Sequence, residues 1–122
     1  MKKFLLYTEN YALSLLTKKL NKDHLFHNVA KTQQVVNSVK ELIKGEKISE
    51  VEGNILLFAA WFHNLGFVNR TENHLEASVN TATTFLEEYN IDNTIIDDVV
   101  RLIRVTKTDV EAQDILEKVM KD

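Results

Sequence analysis

The chain has 122 residues, a formal net charge of −3, and neither cysteine nor proline. That length supports one domain, spanning 1–122, with a real hydrophobic core. Without cysteine there can be no disulfide staple or thiolate metal site, and the composition fits a reducing, cytoplasmic setting. The charges are spread along the chain, which argues against a large nucleic-acid surface, since that needs a basic stripe.

Apolar residues make up 44% of the chain and charged residues 27%, as expected of a soluble globule. The longest apolar run, Ile55 to Phe62, is too short to span a bilayer, so no membrane segment is expected. Thr8, Glu9 and Asn10 interrupt the apolar start, which therefore does not read as a signal peptide.

Only three glycines are present, so the usual helix breakers are scarce and the pattern is helical throughout. A first helix is expected over about 2–20, with Tyr7, Tyr11 and Leu15 at four-residue steps forming either core or a self-association seam, the second of which would allow a homodimer. A second is expected from Lys22 to Lys44, with Leu25, Val29, Thr32, Val36, Val39 and Ile43 as one buried stripe. Gly45 should close it as the C′ glycine. Ser49 and Glu52 form a capping box that opens a third helix. Its run from Ile55 to Phe62 is apolar on every side, the mark of a central helix, and it should stop near Gly66.

Leu75, Val79, Ala82, Leu86 and Tyr89 outline a fourth helix. Asp92 or Asn93 should cap a fifth, with Ile95, Val99, Leu102 and Ile103 inward. Thr108 and Glu111 suggest a second capping box, opening a sixth with Ile115, Leu116 and Val119. The expected fold is all-α, a compact bundle of five to six helices joined by short loops.

Two places could carry chemistry. His27 and Lys31 are four apart and so project from one helical face. His63 and Asn64 sit at the C-terminal end of the apolar helix, where partial negative charge favours a cation.

The segment His27-Asn28-Val29-Ala30-Lys31-Thr32, followed by Val35-Val36, resembles the first-histidine helix of the HD-domain superfamily of metal-dependent phosphohydrolases. Ala59-Ala60-Trp61-Phe62-His63-Asn64-Leu65-Gly66 resembles the segment that names that family. Glu72 to Ser78 is similar to its following helix start, with Glu76 and Ser78 matching and Leu75 where a carboxylate often stands. Leu102-Ile103-x-x-Thr106 resembles the next helix, and Leu116 to Asp122 the approach to an Asp-Ala-Asp run, of which the sequence reaches the first aspartate. The likeness covers about 20–122 and implies an HD-domain-like bundle, short of the end of the family's domain.

In that family a divalent ion such as manganese, iron, nickel or magnesium activates water against nucleotides and other phosphate esters. The resemblance places Lys31 where a metal-ligating histidine belongs and Asn64 where the aspartate belongs. An ammonium repels a dication and has no lone pair to give, and an amide oxygen is a weaker ligand than a carboxylate. Of the four ligand positions only His63 remains, with His27 as a weak auxiliary, so no metal cofactor is expected.

The preferred reading is a degenerate member without metal-supported hydrolysis. Its His27, Lys31, His63, Asn64, His74 and Arg104 would hold a small phosphate-bearing ligand such as a nucleotide. In the active alternative, His63 and Asn64 serve a metal and Glu76 positions water. In a third reading the chain is an interaction or dimerisation module with a relic pocket.

Plainer roles stand beside these. His63 could be a satisfied polar plug, Lys31 could snorkel to water, and His74 could belong only to a helix start. His24 should face solvent, Trp61 and Phe62 should pack, and Arg70, Arg101 and Lys107 could be ordinary surface charges.

Overall fold

Local polar signals set most of the helix ends, and one apolar segment decides how the helices gather. The computed structural model describes residues 2–63, 65, 74–107 and 109–121. They form six helices: α1 (Lys2–Lys19), α2 (Lys22–Lys44), α3 (Glu50–Phe62), α4 (His74–Glu88), α5 (Asn93–Val105) and α6 (Ile115–Lys121). Among the described residues there is no strand, and no helix is long and apolar enough to cross a membrane. The all-α bundle expected from the sequence is the fold.

The α2 start is capped by Asn21, whose side chain accepts from the His24 amide at 2.9 Å. At α3 both arms of the box form: Ser49 Oγ accepts from the Glu52 amide at 3.1 Å, and Glu52 Oε1 from the Ser49 amide at 2.9 Å. Asp92 caps α5 by accepting from the Thr94 amide at 2.8 Å. Each such cap contributes about 1 kcal/mol.

Burial is the larger effect. Ile55, Leu56, Phe58 and Phe62 of α3 are all buried, contributing together about 6–12 kcal/mol at the usual yield per side chain. The caps decide where α3 begins, and its apolar surface decides that it lies in the middle. It touches every other helix of the bundle, with α2 and α5 as its main neighbours.

Some local expectations shift. Gly45 is the C-cap of α2 with an ordinary φ of −82°, and the left-handed residue is Glu46 at φ 58°. The Glu46 amide donates to the Ile43 carbonyl and the Lys47 amide to the Leu42 carbonyl, which is a Schellman closure one residue further on. That turn brings Ile48 into the core. α3 ends at Phe62, before Gly66, which lies outside the described residues.

The last helix is capped by Asp114, not through Glu111. Asp114 Oδ1 accepts from the Glu117 amide at 2.8 Å, and Glu117 Oε1 from the Gln113 amide at 2.9 Å. Thr108 lies outside the described residues, and Glu111 is exposed in an irregular stretch. Ile115 is exposed rather than inward, because this two-turn helix turns Leu116, Glu117 and Met120 to the bundle, with Val119 partly buried beside them. On α5 Ile96 is the buried residue and Ile95 is half-buried.

Candidate functional site

The pairing of α2 with α3 aims Lys31 at the end of the central helix. The two run antiparallel. Gly53 of α3 faces Val39 and Ile43 of α2, and two turns along α3, Thr32 Oγ1 donates to the Ala60 carbonyl at 3.5 Å. Both contacts keep one register, which carries Lys31 and His27 towards the C-terminal end of α3. Lys31 is half-buried there, and His27, one turn earlier, is exposed.

His63 caps that end. Its Nδ1 lies 2.7 Å from the Ala60 carbonyl, and a carbonyl can only accept, so Nδ1 carries the proton and donates. The lone pair of the neutral ring is then on Nε2. Burial pushes the His63 imidazole below its ordinary value of 6.5, the bond to Ala60 works against that, and the Lys31 charge pushes it lower again. His63 is therefore neutral at pH 7, beside an ammonium whose field it feels.

The same helix end anchors α4. Ser78, fully buried, donates from Oγ to the His63 carbonyl at 2.9 Å. That carbonyl is one of the four that an α-helix leaves unpaired at its C-terminus. His74 stands one turn before Ser78 on the same face of α4, half-buried with its Nδ1 enclosed. Lys31, His63 and Ser78 thus converge from α2, α3 and α4, and His74 shares the α4 face that meets them.

Glu76 and Arg104 do not join this group. Two residues round the helix puts Glu76 about 160° from Ser78. There its carboxylate takes a forked pair of bonds from Arg104 of α5, at 3.1 Å and 3.4 Å. Both side chains are 54% exposed. Arg101 is likewise engaged, with Asp98, Asp114 and Glu117. Asn64, Arg70, Glu72 and Asn73 lie outside the described residues.

The donor set tests the fit of a divalent ion. Among the described residues no three of histidine, cysteine, aspartate and glutamate converge as metal ligands. His63 Nε2 offers one lone pair in a field already made positive by Lys31. The described residues alone do not make up the donor set of a divalent ion.

Two features were not anticipated. Ala60 supplies a carbonyl that accepts from both Thr32 and His63, and the signal for it was the single polar member, Thr32, in the apolar stripe of α2. Glu117 is buried and held by Arg101, and the only sequence signal for it was the Asp114–Glu117 cap spacing. Comparison with family models, curated proteins and solved structures finds no match to this chain.

Proposed function

We propose that the chain is a degenerate HD-domain-like protein that binds a small phosphate-bearing ligand, nucleotides being the class implied, without metal-supported hydrolysis. The observation that carries this reading is the α2–α3 register, which brings half-buried Lys31 to half-buried, neutral His63 at the end of α3. In the resemblance that is the position of the metal. An ammonium there can supply a charge-assisted hydrogen bond to a phosphate oxygen, worth roughly 1.5–3 kcal/mol. His27 stands at the α2 side of the proposed pocket and His74 at its α4 side, and the sequence alone adds Asn64 to the reading. Glu76 and Arg104, bound to each other, belong to its surroundings.

The proposed site also has a defined response to pH. A phosphate dianion offsets the Lys31 field at His63, so a bound anion makes the imidazole easier to protonate. Below pH 6.5 binding should therefore take up a fraction of a proton.

The test is calorimetric titration of metal-free protein with inorganic phosphate and with nucleoside mono-, di- and triphosphates, beside Lys31→Met. Binding without metal, weakened about tenfold or more in the variant, is expected. Stoichiometric manganese or iron in the purified protein, accompanied by phosphate release, would instead favour the active alternative.

A further inference from the structure

Where α2, α3 and α4 converge, the hydrogen-bonding groups are unequally spent. A hydroxyl donates only once. Thr32 spends its proton on the Ala60 carbonyl and Ser78 on the His63 carbonyl, so both hydroxyls are committed to the backbone at the end of α3. The carboxylate of Glu76 is taken by Arg104 on another side of α4. Two side chains still have something to offer. Lys31 is purely a donor, and His63 supplies the acceptor.

His63 is held by two bonds. Its amide donates to the Ala59 carbonyl at 2.9 Å, which keeps its backbone in the helix. Its Nδ1 donates to the Ala60 carbonyl at 2.7 Å, which fixes both the ring and its tautomer. The two nitrogens of an imidazole point to nearly opposite sides of the ring. With Nδ1 aimed back at the last turn of α3, Nε2 aims away from it and carries the lone pair of the neutral ring. Among the described residues no donor is bonded to Nε2.

A charged donor beside a fixed acceptor places a demand on the anion. At neutral pH every oxygen of sulfate is an acceptor, so one set against Nε2 opposes two lone pairs. A phosphate monoester loses its second proton only near pH 6, at about the value of a phosphorylated side chain, and inorganic phosphate behaves similarly, so each retains some P–OH. Such an anion can donate to Nε2 while it accepts from the ammonium.

We propose, on the anion-site reading above, that the anion held here is a phosphate that keeps a P–OH group, with Lys31 donating to its charged oxygens and His63 Nε2 accepting from its hydroxyl. Inorganic phosphate and phosphate monoesters, including the terminal phosphate of a nucleotide, meet that demand. Sulfate and phosphodiesters do not. A sugar hydroxyl could also supply an O–H, and inorganic ions separate the two sources because they carry no sugar.

Calorimetric titration of the metal-free full chain at neutral pH with inorganic phosphate and with sulfate is the test. Phosphate should bind about tenfold or more tightly, because sulfate leaves the acceptor without a partner. Sulfate carries the greater charge at that pH, so charge alone gives the reverse order. His63→Asn keeps a side-chain N–H for the Ala60 carbonyl and lacks the Nε2 acceptor. Once circular dichroism shows it folded, it should bind the two ions alike. If it does not fold, the wild-type order decides alone. Sulfate bound as tightly as phosphate, with both lost in Lys31→Met, overturns the inference and leaves the anion site standing. So does a phosphate preference unchanged in folded His63→Asn. A preference for ribonucleotides over deoxyribonucleotides, with the two ions bound alike, overturns it by placing the donor on the sugar. Binding of neither ion overturns the anion site as well.

Discussion

The close approach of α2 to α3 at Gly53 can be measured, because it sets two opposed effects against each other. In an exposed helix interior, replacing glycine by alanine stabilises by about 1 kcal/mol. At Gly53, which is buried, a Cβ would stand 2.7 Å from Ile43 Cδ1 and 3.0 Å from Val39 Cγ1. Ordinary carbon contacts lie at about 3.5–4.0 Å, so both neighbours must yield. Val39 is 3% exposed and β-branched, with one strongly preferred rotamer in a helix, so it yields poorly. Overpacking of this kind costs about 1–3 kcal/mol. Gly53→Ala should therefore be neutral to destabilising by up to about 2 kcal/mol, lowering the urea midpoint with an unchanged slope.

Ile43→Val makes the test specific, since it removes the Cδ1 methyl that the new Cβ would strike. Alone it should cost about 0.5–1.5 kcal/mol. Combined with Gly53→Ala it should cost less than the sum, by about 0.5 kcal/mol or more. If Gly53→Ala stabilises by the full helix-propensity gain, or if the two changes simply add, the helices are not this close. The register that brings Lys31 to His63 would then lose its support.

Three further outcomes follow from the same geometry. Glu46 holds a left-handed φ of 58° without a side-chain reason, so Glu46→Gly should raise stability by about 1 kcal/mol, seen as a higher melting temperature. Asn90, at φ 56°, should gain less from the same change, because asparagine tolerates that region. Ser78→Ala removes the hydroxyl that donates to the His63 carbonyl and should cost about 1–3 kcal/mol in urea unfolding. His63 carries a lowered value when folded, so below 6.5 the unfolded chain binds a proton that the folded chain refuses. Stability should be full above that pH and fall as pH drops below it. Lys31→Met should lessen the fall and His63→Gln should remove it, as urea midpoints on either side of pH 6.5 would reveal.

What the sequence made legible was local. The α2 bounds and the Ser49–Glu52 box follow from residues three or four apart, so reading along the chain finds them. Gly45 was one residue out because the turn after α2 serves Ile48, whose burial in the core is a tertiary demand. The final cap shows the same limit. Thr108–Glu111 and Asp114–Glu117 both offer a polar cap with a glutamate three residues on. Glu117 is also held by Arg101, sixteen residues away on α5, and that partner is invisible to any local pattern.

The site divides in the same way. Lys31 could be placed near His63 because the α2 stripe, which includes Thr32, had to face the apolar α3. Glu76 and Arg104 matched family and charge expectations separately, yet they are 28 residues apart in sequence and found each other across α4 and α5. A charged residue assigned to a pocket by motif alone has no defence against a nearer partner of opposite sign.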